Sequence, residues 1–254
     1  NKFIITNILE TFKLLETARQ FWSVNKYKKY HFHNVSTDEV FGSLKKNQRS
    51  SIETDRFNPS SPYSSSKASA DLIINSYFKT FKMNITISNS CNNFGPYINI
   101  EKLIPKLIFN ILNNKIIPIY GDGNQIRQWI YVEDHVKGIE KIILKGKFGE
   151  SYNIGSDIKL KNIDLVIQIC KIIDNLFNDN NSLKLLYPKA IKCHKGLSSS
   201  LIKFVKDRKG HDYRYSLNFN KASRDLNFKK FIRFDKSLLI TIKWFLFNKS
   251  EWNK

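Results

Sequence analysis

The sequence is poor in the residues that build specialised scaffolds: 254 residues include three cysteines, ten glycines, six prolines and one methionine. Cys91, Cys170 and Cys193 form no C-x-x-C pair, which excludes a disulfide framework and a cysteine-rich zinc module and favours a reducing compartment. So little glycine and proline excludes collagen-like, linker-like and low-complexity chains. Long hydrophobic runs are also lacking. The most apolar stretch, Leu238–Phe247, is broken by Lys243 and falls short of the ~18 apolar residues that span a membrane. No charged segment followed by an apolar one comes after Asn1, so no signal peptide is read. The expectation is a cytoplasmic protein and a piece of a longer polypeptide.

Acidic residues are the other scarcity, with 22 Asp and Glu against 42 Lys and Arg and a net charge of +20. Such a balance raises the question of a nucleic-acid partner. The lysines are spread through nearly every segment, however, and cluster only loosely at Lys26–Lys29, Lys45–Arg49 and Lys203–Lys209. No zinc-finger spacing or RNA-binding aromatic signature accompanies them. No nucleic-acid and no membrane partner is expected, whereas a basic surface suits a small anionic substrate such as a phosphate ester.

What is present is a core. The chain is 41% hydrophobic and 13% aromatic, enough for one large α/β domain or two small ones. Apolar spacing predicts helices at Asn7–Trp22, Pro62–Phe81, Leu103–Leu112, Asp134–Leu144, Ile163–Phe177 and Lys236–Phe247. Short β-rich runs predict strands at Tyr30–Val35, Ile85–Cys91, Ile116–Tyr120 and Tyr152–Ile154. Ser61 and Pro62 are a helix cap and a first helical residue, Asn162 is a candidate cap, and Asn178–Ser200 reads as a loop or insertion. The alternation of helices and strands makes the fold α/β with a parallel sheet. No G-x-G-x-x-G follows any strand.

Several constellations could carry chemistry. Tyr63 and Lys67 lie four apart on one helix face, where an ammonium should lower the tyrosine towards a working base; alone, the pair also reads as an exposed polar face. Ser36-Thr37-Asp38-Glu39 puts two hydroxyls and two carboxylates at a strand end, or is simply a cap. Asn92-Asn93 before Gly95-Pro96 fits turn chemistry. Arg127 and Arg208 are candidate phosphate clamps. His31 and His33 share a strand face without an evident third ligand, so no metal site is expected.

The order of the pieces is more specific than any one of them. Asn34-Val35-Ser36-Thr37-Asp38-Glu39-Val40-Phe41-Gly42 precedes Ser61-Pro62-Tyr63-Ser64-Ser65-Ser66-Lys67, then Asn92-Asn93-Phe94-Gly95-Pro96-Tyr97, Tyr120-Gly121-Asp122-Gly123 and Arg127-Gln128-Trp129. This order, from about Asn7 to Trp244, resembles the dTDP-glucose 4,6-dehydratases of the extended short-chain dehydrogenase/reductase family. The resemblance implies a partial Rossmann-like doubly wound sheet, with the family's Gly-rich NAD loop lying ahead of Asn1, and a smaller α/β substrate domain. Residues 1–100 would be the rest of the dinucleotide domain and 101–254 mainly the substrate domain, with some segments returning to the first. It further implies NAD as cofactor and dTDP-glucose as substrate. Tyr63, Lys67 and Thr37 would serve oxidation at C4, Glu39 would take the C5 proton, and Asp38 would protonate the leaving 6-hydroxyl. Tyr63, Lys67 and Asn93 would contact NAD. Asn92, Lys102, Leu103, Pro118, Tyr120, Arg127, Asn162, Arg208 and His211 would hold the nucleotide-sugar. A homodimer would form through helices Asn7–Trp22 and Pro62–Phe81. Gln128 departs from a usual Asp and Lys209 from a usual Pro. A related epimerase or decarboxylase, or a non-catalytic remnant that binds dTDP-sugar, is the alternative.

Overall fold

The computed structural model describes residues 2–25 and 30–252, so the Lys26–Lys29 cluster lies outside the described residues. A π-helical stretch, Ile4–Glu10, runs into α1, Thr11–Asn25. β1, Phe32–Thr37, ends in a 3-10 turn, Asp38–Phe41. Then come α2 (Pro62–Phe81), β2 (Ile85–Ser90), β3 (Asn92–Phe94), α3 (Leu103–Leu112), β4 (Ile117–Tyr120) and β5 (Ile126–Tyr131). They are followed by α4 (Val132–Lys145), β6 (Ser151–Ile154), β7 (Lys159–Lys161), α5 (Asn162–Asp179), α6 (Asn181–Leu186) and α7 (Ile191–His194). A 3-10 turn, Ser198–Leu201, leads to β8 (Ile202–Val205), α8 (Asn220–Leu226), α9 (Phe234–Phe247) and α10 (Lys249–Trp252).

Two compact units result. The first comprises Asn1–Asn92, Glu133–Asp157 and Asp212–Lys230; the second comprises Asn93–Val132, Ile158–His211 and Phe231–Lys254.

The first unit is built on a parallel sheet in the order β1-β2-β6. Its register runs from Phe32↔Ile85 to Thr37↔Ser90 and from Ile87↔Ser151 to Ser90↔Ile154. Thr37, Ser90 and Ile154 therefore stand side by side at the carboxyl edge, where open α/β sheets take their ligands. β2 is buried at every position, as expected of a central strand covered on both faces. α2 starts where Ser61 and Ser64 form a reciprocal capping box with Pro62 next to the cap, an arrangement worth about 1 kcal/mol. Its inner face, through Ile74 and Tyr77, joins Leu15, Trp22, Met83, Ile85 and Ile87 in one apolar cluster. β1 begins two residues later than the apolar pattern implies and extends through Ser36 and Thr37. The polar end stays in the sheet because Thr37 pairs with Ser90 and Ser36 finds a buried acceptor in Asp71.

In the second unit α3, α5 and α9 bury Ile104, Ile108, Ile111, Leu165, Ile169, Ile173, Phe177, Leu238, Ile242 and Phe245 in a common core, each set at the three-to-four-residue spacing of a helix face. The expected strand β4 pairs in parallel with β8 and β5 pairs antiparallel with β7; the sequence pattern does not signal β5, β7 or β8. The segment Asn178–Ser200 is not a loop. α6, α7 and the turn after them bury Leu183, Tyr187, Ala190, Cys193 and Ser198, and the Asp174 carboxylate accepts from both the Ser198 amide (3.1 Å) and its hydroxyl. Asn162 is not a cap either: it is the first residue of α5, Lys161 precedes it without a side-chain cap, and its own N–H is spent on the Gln125 carbonyl at 2.9 Å. Among the described residues no helix is long and apolar enough to cross a membrane.

Candidate active site

At the end of β1 the Thr37 hydroxyl organises the two acids. It accepts from the Glu39 N–H at 3.3 Å and donates to Asp38 Oδ1 at 3.3 Å, using both capacities of a hydroxyl. The turn carrying Asp38 and Glu39 closes at Gly42, where φ is +77° and a Cβ would lie 2.1 Å from the Asn58 carbonyl oxygen. Only glycine fits there. Asp38 is buried, while Glu39 keeps access to solvent.

α2 lays Tyr63 and Lys67 beside this turn. The Lys67 ammonium donates to the Val35 carbonyl at 2.8 Å, two residues before Thr37. Tyr63, half-buried, feels both acids: burial first, then Glu39 and Asp38, push its hydroxyl above the ordinary tyrosine range. This corrects the sequence-based expectation that Lys67 would lower it. In this geometry the ammonium is committed to a backbone oxygen and the dominant influences favour the neutral phenol. Burial lowers Lys67, which Asp71 opposes.

Two further carboxylates of the first unit carry no motif of their own. Asp71, one turn beyond Lys67, is fully buried and accepts from Asn34 Nδ2 at 2.8 Å and from Ser36 Oγ at 2.5 Å. Asp212 accepts from the hydroxyls of Ser60 and Tyr215, and burial, then Asp212 and more weakly Glu39, drive Tyr215 far up. The signal for Asp71 was available as a Lys-x-x-x-Asp spacing on the helix face; for Asp212 no local pattern points to Ser60.

His31, His33 and His135 form a separate group in the same unit. His31 Nε2 and His33 Nδ1 both meet the Thr86 hydroxyl, at 2.7 and 2.9 Å, and His33 Nε2 meets Ser88 at 3.1 Å. Burial lowers all three, His33 and His135 to about 4. Among the described residues no group of three or more His, Cys, Asp or Glu side chains could hold a metal ion.

In the second unit a different cluster assembles around Asp207. His211 Nδ1 donates to Asp207 Oδ1 at 2.7 Å, the Arg208 N–H donates to the same oxygen at 2.7 Å, and Gln125 Nε2 donates to Oδ2 at 3.1 Å. The Arg208 guanidinium lies 5.1 Å over the Tyr120 ring, at the end of the strand that holds Pro118. His211 is lowered by burial, and Arg208 and Arg127 act on it in the same direction while Asp207 opposes them. Arg127, Arg208, His211 and Tyr120 are thus brought together, with Asn162 joined to Gln125 through its backbone. Two guanidiniums and an imidazole around one anchored turn suit a phosphate-bearing anion. Lys102 and Leu103 stand elsewhere, at the start of α3, where Leu103 packs against the core. Asn92 and Asn93 open β3, both half-buried.

Comparison with known proteins places this architecture. The sequence profile described as GDP-mannose 4,6 dehydratase matches residues 1–240, and the chain belongs to this family of sugar-nucleotide 4,6-dehydratase enzymes, with their Rossmann-like α/β fold. Within the family it is similar to the dTDP-glucose 4,6-dehydratase of Haemophilus influenzae, at 41% identity over 98% of this chain and 71% of the relative. The dTDP-glucose 4,6-dehydratase of Streptomyces venezuelae, solved with NAD bound, superposes with a TM-score of 0.83 at 33% identity, covering 98% of this chain and 68% of that one. The enzyme from Bacillus anthracis, also solved in complex with NAD, gives 0.82 at 35% identity over 98% and 70%.

Proposed function

We propose that the chain dehydrates dTDP-glucose to dTDP-4-dehydro-6-deoxy-glucose. The observation that carries this reading is the adjacency, within the first unit, of the Tyr63 hydroxyl to the Asp38–Glu39 pair, seen in the pull of both acids on the phenol. Oxidation alone needs a base and a cation; elimination of water across C5 and C6 needs one group to take a proton and another to give one. An epimerase or decarboxylase has no use for the second carboxyl beside Thr37. In the proposed division, Tyr63 accepts the proton of the sugar 4-hydroxyl as its phenolate, which bound cofactor charge must favour against the upward pressure of burial and the acids, with Thr37 and Lys67 orienting it. Glu39, which reaches solvent, takes the C5 proton, and the buried Asp38 delivers one to the departing 6-hydroxyl. A cation brought against the Tyr63 hydroxyl would oppose the upward pressure on it.

The donor set fits the nicotinamide-ribose end of NAD: a phenol and an ammonium on adjacent turns of α2 suit a pair of ribose hydroxyls, and Asn93 is proposed to join them. When bound, NAD supplies the hydride acceptor at C4 and the hydride donor at C6. The first unit is proposed as the dinucleotide-side unit, and the second as the one holding the dTDP portion through Lys102, Leu103, Pro118, Tyr120, Arg127, Asn162, Arg208 and His211, with Asn92 of the first unit also proposed to contact it. A homodimer through the faces of α1 and α2 is part of the same reading. It is supported by the outward exposure of Leu14, Phe21 and Leu72 at 59%, 59% and 60%. Incubating the chain with dTDP-glucose and NAD and assaying for the 4-keto-6-deoxy sugar tests the reaction. Appearance of the product supports it. A saturable complex with dTDP-glucose and no turnover would instead favour a binding remnant.

A further inference from the structure

One turn of α2 grips three consecutive residues of β1. Asn34 and Ser36 lie on the same face of the strand, two apart, and both donate to the Asp71 carboxylate; Val35 between them accepts from Lys67 with its carbonyl oxygen. The next strand residue is Thr37. Any slip of α2 along β1 would break these bonds together and would shift Tyr63 and Lys67 relative to the acids. Asp71 is fully buried. From β1 it is faced by Asn34 and Ser36, from β2 by Asn89, and from its own helix by Lys67, whose charge favours the ionised carboxyl. A buried carboxylate is expensive unless hydrogen-bonded and paired. Asn34 and Ser36 donate to different oxygens of Asp71; a carboxylate accepts at both, whereas an asparagine has one acceptor oxygen and an N–H donor in place of the other. The acid also supplies the charge opposite Lys67.

We infer that Asp71 is a positioning residue for the reaction: it locks the Tyr63–Lys67 turn in register with Thr37-Asp38-Glu39 and provides the buried counter-charge to Lys67. This rests on the reading of Tyr63 and Lys67 as the oxidation pair. Burial holds the Asp71 carboxyl up to about 6, against the pull of Ser36, Lys67 and Asn34. The counter-charge is therefore present above that pH and lost below it.

Two variants of the full chain separate this role from a merely structural one. Asp71→Asn keeps the size, removes the charge and exchanges one acceptor oxygen for a donor; Ser36→Ala keeps the charge and removes a bond that stabilises it. With dTDP-glucose and NAD, kcat of the parent chain falls on an acid limb near pH 6. Asp71→Asn lowers kcat roughly tenfold at neutral pH and abolishes that limb, with KM changed less than about twofold, while Ser36→Ala moves the limb to higher pH. A second readout needs no turnover: the 13Cε resonance of Lys67 titrates at lower pH in Asp71→Asn than in the parent. A Lys67 midpoint that does not move, or an acid limb unchanged in both variants, overturns the inference. Absence of turnover in the parent overturns the functional reading instead, and the Lys67 titration still decides the role of Asp71.

Discussion

Gly121 and Asp207 stand so close that a methyl group on Gly121 would come within 2.8 Å of the Asp207 carboxylate oxygen. The glycine also has φ of +62°, a conformation that costs an L-residue about 1–2 kcal/mol. Its N–H bonds the Val205 carbonyl at 3.0 Å, so the turn after β4 and the turn after β8 are set against each other, and Asp207 is held where it anchors Arg208 and His211.

Gly121→Ala is accordingly expected to weaken dTDP binding, not only stability. Displacing Asp207 releases both basic side chains, and the loss should be on the order of tenfold in affinity beside the backbone cost. Isothermal titration with dTDP and a thermal melt measure the two effects. Unchanged affinity in a destabilised variant would remove the Asp207 cluster from nucleotide binding.

The buried histidines make stability fall with acid. His33 and His135 are lowered to about 4 from an unfolded value near 6.5, so the unfolded chain binds more protons between those values. The contribution is fully present above pH 6.5 and is lost as pH falls towards 4, on the order of 2 kcal/mol for each histidine by pH 5. Asp71, raised to about 6, acts in the opposite sense and offsets about 1 kcal/mol of this loss as it protonates. Urea unfolding at pH 7 and pH 5 measures the slope. His33→Gln should flatten it, and a slope unaffected by that change would place the acid sensitivity elsewhere.

Glu39→Gln separates the two halves of the proposed reaction. The amide keeps the size of the side chain but cannot take the C5 proton, so oxidation at C4 should proceed while water loss stops, with product formation reduced by at least about a hundredfold. Rapid quench after mixing with dTDP-glucose and NAD would show a 4-keto sugar that retains its 6-hydroxyl. Product at the parent rate would remove Glu39 from the base role.

Much of this architecture is legible from local chemistry. Ser61-Pro62 announces α2 because a cap and a first-turn proline act through the backbone alone, and Thr37-Asp38-Glu39 lies at a strand end as its polarity requires. What fails is what depends on partners distant in sequence. β5 contains Arg127 and Gln128, polar residues that a short apolar-run criterion rejects, yet both are buried. Leu183, Tyr187, Ala190 and Cys193 have helical spacing, but Asn178–Asn181, Pro188 and Ser198–Ser200 are turn formers and mask it. The expected direction at Tyr63 fails for the same reason. A Lys four residues away is a local fact, whereas burial and the two acids of the turn after β1 are supplied by the tertiary fold, and they win.

The outward face of α1 offers the last test. Leu15 and Trp22 turn inward to the cluster beneath α2, while Leu14 and Phe21, one position earlier in each case, are 59% exposed. Leu72 on α2 is 60% exposed. Covering such side chains contributes ~1.5–3 kcal/mol each, and a two-fold axis would count every one twice. Leu14→Asp combined with Leu72→Asp places four uncompensated charges in a proposed dimer and none in the core of a single copy. Sedimentation equilibrium should give twice the chain mass for the parent and the single chain mass for the variant, with the unfolding midpoint measured below the dissociation constant unchanged. A parent that sediments as a single chain at tens of micromolar would rule out the self-association proposed for these helices.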